Sequence, residues 1–259
     1  VNTPARASIV PTSNYGDSMI LDVSLSKYCD LIPMDRYSQI AHRNGLMNLP
    51  PQSMIELTHH LAKFLDPIYI KLKDEILSNS FVLADETPLK MLEGDDRYNW
   101  YLWGFFSLRS CYFEAHNNRS GDVAINFLKR SKAKYLVTDG YSGYKKAVKE
   151  MKKKYDRDIV NIFCNAHSFR YFRDAGNPWT EEVAPILKLY GQIYELESQR
   201  KKGEETLSRE AQLKFRKNMI PIFSQIKRYC EEKMDSAMRE SSFKKAMNYF
   251  LNHYDGLTV

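Results

Sequence analysis

Two aspartates in this sequence close apolar runs of the same design. Phe81-Val-Leu-Ala-Asp85 leads into Glu-Thr-Pro-Leu89, and Tyr135-Leu-Val-Thr-Asp139 leads into Gly-Tyr-Ser-Gly-Tyr144. A short apolar run with a turn signal after it reads as a buried strand. Asp85 and Asp139 would then sit at strand ends, 54 positions apart, as two halves of one site. Neighbouring carboxylates repel unless they share a proton or a cation. Magnesium meets that need with hard oxygen ligands, using one or two protein carboxylates and leaving room for water and phosphate. Two such ions, roughly 3.5–4 Å apart, activate an attacking oxygen and stabilise a leaving one, as in nucleases and polynucleotidyl transferases. The plainer alternative is that each aspartate caps the turn that follows its strand.

Other residues also carry groups that can do chemistry. Glu86 follows Asp85 directly, so a continuing strand points it to the opposite face. There it is expected to pair with a lysine such as Lys90. Cys164-x-x-His167 is half of a zinc pattern without its second half, which favours a structural role. His167 and Arg170, with Arg173, are candidates for phosphate contact at the end of the sheet. Lys145, Lys146, Lys149, Lys152, Lys153 and Lys154 form a basic run that reads as a solvated helix face. It becomes a DNA-backbone contact only where it flanks the aspartates.

The elements that must position these residues follow in chain order. Residues 1–17 are rich in Pro, Ser, Thr and Asn and read as an extended lead-in. Leu21, Leu25, Tyr28, Cys29 and Ile32 keep helical spacing up to Pro33. A short helix is expected from Met34 to His42, stopped by Asn44-Gly45. Ser53-x-x-Glu56 is a capping-box pattern that opens a longer helix. Met54, Leu57, Leu61, Phe64, Leu65, Ile68, Leu72 and Ile76 line its apolar face, and Pro67 should kink it. This outline also fits a helix-turn-helix in which Arg36, His42 and Arg43 would meet DNA, or a plain helical hairpin.

After the first aspartate run, Asn99–Ser107 and Cys111–His116 read as an aromatic-rich antiparallel hairpin. A helix over 121–130, the second aspartate strand, a helix over roughly 142–154 and a strand over 159–164 complete the middle of the chain. Strands followed by alternating helix and strand imply an α/β mixed sheet with helices on its faces. Three helices are expected over 180–255, broken at Lys201-Lys-Gly203, the second of them covering 205–234. The division is thus a lead-in and helical arm over 1–80, the mixed-sheet core over 81–180 and an all-helical region over 181–259.

With 259 residues, 43% hydrophobic and 27% charged, the chain has the composition of a folded domain with a real core. The net charge of +6 permits a phosphate-rich partner without demanding one. No apolar run approaches the ~18 residues that span a bilayer, and no secretory signal is visible. Cys29, Cys111, Cys164 and Cys230 are scattered without a CxxC pair, which fits reduced thiols in the cytoplasm.

Several ordered motifs resemble one family, the insertion sequence sixty-six family of bacterial transposases. Ala84-Asp-Glu-Thr-Pro88 resembles its first catalytic signature and Asp139-Gly-Tyr-Ser-Gly-Tyr144 its second. Cys164-Asn-Ala-His167 with Arg170 and Phe172 is similar to its Cys-x-Ala-His-x-x-Arg-x-Phe segment. Phe169 and Tyr171 stand where the family usually has basic residues. Ser26-Lys-Tyr28, Ile193–Glu197 and Ser242–Tyr249 fit its flanking regions, so the resemblance covers nearly the whole chain.

The resemblance implies a ribonuclease-H-like core and a DDE transposase that cuts and joins DNA with magnesium, manganese substituting. Asp85 and Asp139 match the first two catalytic acids. The third acid, a glutamate in an Asp-Asn-Asn-x-x-Glu-Arg-like segment, has no counterpart in these 259 residues, and 181–259 would be the helical insertion that precedes it. DNA, in the form of transposon ends and target, and a homodimer assembled on it are the implied partners, with the protein in the cytoplasm and on the nucleoid when bound. The other expectation is a truncated, inactive remnant that binds DNA or a partner transposase.

Overall fold

The computed structural model describes residues 8–11, 13–46, 49–91, 98–177, 179–203 and 207–259. The first part of the lead-in and the expected start of the second late helix at 205–206 lie outside the described residues. Residues 1–74 and 75–259 form two compact units.

The first unit holds α1 (Asp17–Tyr28), α2 (Met34–Arg43) and most of α3 (Pro51–Ser78). Its core is Ile20, Val23, Met34, Met54 and Leu57. The apolar face of α1 differs from the one its spacing suggested: Ile20 and Val23 point inward, whereas Leu21, Leu25 and Tyr28 are exposed. The sequence carries two overlapping helical stripes there, and the β-branched Ile20 and Val23 take the core. Helix α3 begins at Pro51, a residue suited to the first helical position, so Ser53 lies inside the helix and does not cap it. Along α3, Met54 and Leu57 are buried near the start and Ile76 and Leu77 near the end, while Phe64, Leu65 and Ile68 are exposed. The continuous apolar face expected for this helix is therefore two buried ends with an open middle.

The second unit is built on a five-stranded mixed sheet in the order β3-β2-β1-β4-β5. Its strands are β1 (Phe81–Lys90), β2 (Asn99–Phe106), β3 (Cys111–His116), β4 (Tyr135–Thr138) and β5 (Val160–Phe163). β1, β2 and β3 form an antiparallel meander, and β4 and β5 add in parallel on the other side of β1. The parallel connections run through α4 (Gly121–Arg130) and α5 (Ser142–Tyr155), the crossovers that parallel neighbours require.

One face of the sheet packs on these helices. Val82, Ala84, Trp103, Phe105, Tyr112 and Leu136 from the strands meet Val123, Phe127, Leu128, Ala147 and Met151. Phe105 stacks on Phe127, and Trp103 meets Tyr144 edge-on. Gly121 and Gly143 let the starts of α4 and α5 touch, because a Cβ on Gly121 would lie 2.7 Å from the Gly143 carbonyl oxygen. Ser120 caps α4 by accepting a hydrogen bond from the Asp122 amide.

Contrary to the expected stop at Thr87-Pro88, β1 runs on to Lys90, paired with β2 as far as Asn99. Its parallel pairing with β4 ends at Leu83 and Val137. Past that point β1 has one open edge, where a proline without an N–H is tolerated.

A second core joins α6 (Asn165–Ala175), α7 (Thr180–Lys202), α8 (Arg209–Met234) and α9 (Ser242–Leu257). Phe172, Ile186, Tyr190, Ile226, Cys230, Phe243 and Phe250 are its centre. Helix α9 also lies against β5: Gly256 approaches Phe163 so closely that a Cβ would sit 2.3 Å from its ring. Among the described residues, no helix is long and apolar enough to cross a membrane.

Candidate metal and nucleic-acid site

The 54-residue offset that pairs Phe81 with Tyr135 and Leu83 with Val137 is also the spacing of Asp85 and Asp139, two residues beyond the last pair. Asp85 lies within β1 and Asp139 one residue past the end of β4, and after burial and Glu86 both carboxylates help to raise the Tyr144 hydroxyl. Val82, Ala84 and Leu136, of opposite parity, enter the core beneath α4 and α5. Asp85 is 43% exposed at its side chain and Asp139 22%, so both reach solvent from a rigid base.

Each aspartate has one oxygen tied locally. Asp85 Oδ1 accepts from the Glu86 amide at 3.0 Å, and Asp139 Oδ1 accepts from the Tyr141 amide at 2.8 Å. The second of these is an Asx-turn, the capping role weighed for it from sequence. Asp85 Oδ2 lies 3.7 Å from His167 Nε2, and Asp139 Oδ2 lies 3.9 Å from Arg119 Nη2. Behind Asp139, Gly140 takes φ +88°, and the Tyr249 hydroxyl of α9 donates to the Asp139 carbonyl.

Glu86 turns to the opposite face, as its parity requires, but its partner is not Lys90. Arg119 donates to Glu86 Oε1 from Nε at 2.8 Å, with Nη2 2.6 Å away, and the Tyr144 hydroxyl donates to Oε2 at 2.5 Å. The Glu86 side chain has no exposure. Burial pushes its carboxyl above the usual range, against the pull of Tyr144 and Arg119. Arg119 is itself held over the Tyr141 ring, 4.3 Å from its centre. Lys90 instead lies over Tyr98.

Helix α6 supplies the third side. His167 Nε2 is 3.2 Å from Arg170 Nη2, and His167 Nδ1 is buried without a conventional hydrogen-bond partner. The Cys164 side chain, and then the Asp85 carboxylate, draw the imidazole above its usual range against burial. Burial would raise the Cys164 thiol, yet the His167 side chain and the amides of His167 and Ala166 bring it below the ordinary value. Cys164 and His167 thus serve each other.

Of the basic run, Lys145 reaches the site: its Nζ is 3.1 Å from His253 Nε2 on α9. His253 Nδ1 is 2.7 Å from the Tyr249 carbonyl oxygen; burial first, and Lys145 as well, lowers this histidine, so it stays neutral and accepts from the lysine. Lys146 pairs with Asp122, Lys152 with Asp156 and Asp158, and Lys154 with Glu150. Lys149 is exposed. Arg36 and Arg43 are exposed on α2, in the first unit.

Sequence reasoning missed Arg119, Tyr144, Tyr249 and His253. The two tyrosines and His253 reach the site by packing across helices. Only the position of Arg119, just before a capped helix, was a local signal.

The donor set suits a hard cation that needs few protein ligands. Two part-exposed carboxylates leave most positions for water and phosphate oxygens, the usual manner of magnesium. Among the described residues, no group of three or more His, Cys, Asp and Glu side chains is gathered to hold a metal, and Glu86 is taken up by Arg119 and Tyr144.

Residues 12–259 match the Transposase IS66 family, and the chain belongs to that family. It is also similar to the uncharacterized protein y4jD of Sinorhizobium fredii (strain NBRC 101917 / NGR234), 24% identical over 278 aligned positions. That alignment takes in 100% of this chain and 52% of the relative, so the chain spans about half the length of the curated relative it matches.

Proposed function

We propose that the chain is the catalytic portion of a DDE-type insertion-sequence transposase, on a ribonuclease-H-like sheet, and that it cuts and joins DNA with magnesium. The observation that carries this reading is that Asp85 and Asp139 each stand two residues beyond the last pair of adjacent parallel strands, in a chain that belongs to a transposase family. Magnesium, when bound, would activate the attacking oxygen and neutralise charge on the leaving one.

The chain's own residues do the positioning. Asp85 and Asp139 each keep one oxygen fixed by a backbone amide and offer the other to the cation. Arg119 Nη2 bridges Glu86 and Asp139, and Tyr144 holds the other Glu86 oxygen. Arg170 and Lys145, on the flanks, would take DNA phosphates, and Lys146 and Lys149 extend that basic face along α5. Arg36 and Arg43 would serve DNA from α2. Water, and later a DNA 3′-hydroxyl, would be the nucleophile in line with the scissile phosphate. Its partners on this reading are two transposon ends, the target DNA and a second copy of the protein.

The Asx-turn at Asp139 favours one second reading, a family member that binds DNA or a partner transposase without cutting. Calorimetric titration with manganese, which shares magnesium's taste for oxygen ligands, separates the two. The expected result is binding by the native chain and none by Asp85→Asn, Asp139→Asn. Equal binding by both proteins would place the metal elsewhere and overturn the assignment. Absence of binding in both would leave the aspartates as turn caps and favour the non-cutting reading.

A further inference from the structure

We propose that Tyr171 is a stacking platform for an unpaired DNA base held beside Asp85 and Asp139. This rests on the reading that the chain acts on DNA, and it assigns a role to a residue for which that reading gave none.

Helical spacing places His167, Arg170 and Tyr171 on one face of α6. His167 meets Asp85 and Arg170 meets His167, so this face borders the carboxylates. Tyr171 rests on Tyr249, ring centres 4.5 Å apart and planes 32° apart. Tyr249 in turn lies 4.5 Å from His253, whose ring meets Phe163 edge-on at 4.4 Å. The Tyr249 hydroxyl is the group that donates to the Asp139 carbonyl. Four rings thus run from an exposed end, at Tyr171, to Phe163, and the second of them, Tyr249, fastens the Asp139 carbonyl.

The outermost ring is 48% exposed although its neighbour supports it. It is an aromatic surface with a rigid backing, and Arg170 and Lys145 stand near the two ends of the stack as exposed cations. Rings that stack bases beside cations that hold the backbone are what single-strand binding uses. A paired base keeps its faces inside the duplex and shows only its edges, so a ring in this position suits a base that has left its stack. Cutting and joining at Asp85 and Asp139 would require a strand to pass here, and the platform would fix the nucleotide next to the reacting phosphate.

The test is fluorescence of a short single strand carrying 2-aminopurine, compared with a blunt duplex of the same sequence, for the native chain, Tyr171→Ala, Tyr171→Leu and Tyr171→Phe. Circular dichroism checks that each variant is folded. The native chain is expected to quench the single strand, as stacking does. Tyr171→Phe should keep the quenching. Tyr171→Ala and Tyr171→Leu should lose it, and Tyr171→Ala should weaken single-strand affinity about tenfold with duplex affinity unchanged. Single-strand binding with undiminished quenching in Tyr171→Ala would overturn the platform and leave DNA binding standing. No binding of either DNA by the native chain would overturn both.

Discussion

At Glu86 a buried carboxylate stands one residue away from an exposed one, and the difference in surroundings decides what each can do. Glu86 is enclosed by Arg119 and Tyr144; Asp85 keeps an oxygen open to solvent. Removing one partner of a buried pair leaves the other without compensation, at about 3–5 kcal/mol when both are enclosed. Arg119 is 43% exposed and the freed Glu86 can take up a proton, so Arg119→Ala should cost less, about 2 kcal/mol. Glu86→Gln, which removes the charge and keeps the shape, should cost about 1 kcal/mol. Denaturant midpoints measure both, and an Arg119→Ala midpoint equal to the native one would show that the pair is not structural. The pH dependence has a definite sign. Burial already raises Glu86, and losing the guanidinium raises it further. The folded variant then favours the protonated acid, so its stability is fullest below the unfolded carboxyl value and falls as pH rises through the folded one. The deficit of Arg119→Ala should therefore shrink below about pH 5.

Between residue and fold lie the elements, and the turn from β4 into α5 is the most constrained of them. Gly140 there has φ +88°, a conformation that opposes side chains. A Cβ at this position would also stand 2.8 Å from His253 Nε2. Gly140→Ala should destabilise the chain by about 2 kcal/mol and loosen the Lys145–His253 contact; an unchanged melting temperature would contradict this. Much at this scale was legible in the sequence. The apolar runs before Asp85 and Asp139, the hairpin aromatics and the helix breaks at Gly45 and Gly203 are local signals, and the elements formed around them. The extension of β1 through Pro88 was not legible, because a Thr-Pro step signals a stop unless one knows that the neighbouring strand has already ended. The inward face of α1 was ambiguous because two stripes of similar apolarity share one helix. Arg119 and Tyr249 escaped for a different reason: their contacts are set by packing between distant elements, which periodicity does not encode.

For the whole molecule, the two compact units carry separate cores: Ile20, Val23, Met34, Met54 and Leu57 in the first, and the sheet and helical cores in the second. A unit with its own core can fold alone. Residues 75–259, expressed separately, should unfold cooperatively and keep whatever manganese affinity the chain has. A fragment without a cooperative transition would show that the first 74 residues are needed for the second unit to hold its shape. The contact between Tyr249 and the Asp139 carbonyl spans 110 residues of sequence. On a ribosome, domains fold as the chain emerges, at ~5–20 residues per second. Both aspartates and all five strands of the sheet are made well before Tyr249, so for several seconds these segments are present without the helix that fastens the second acid. The site is thus finished only after its acids have been made, and the nascent protein carries them before it has a settled grip on them.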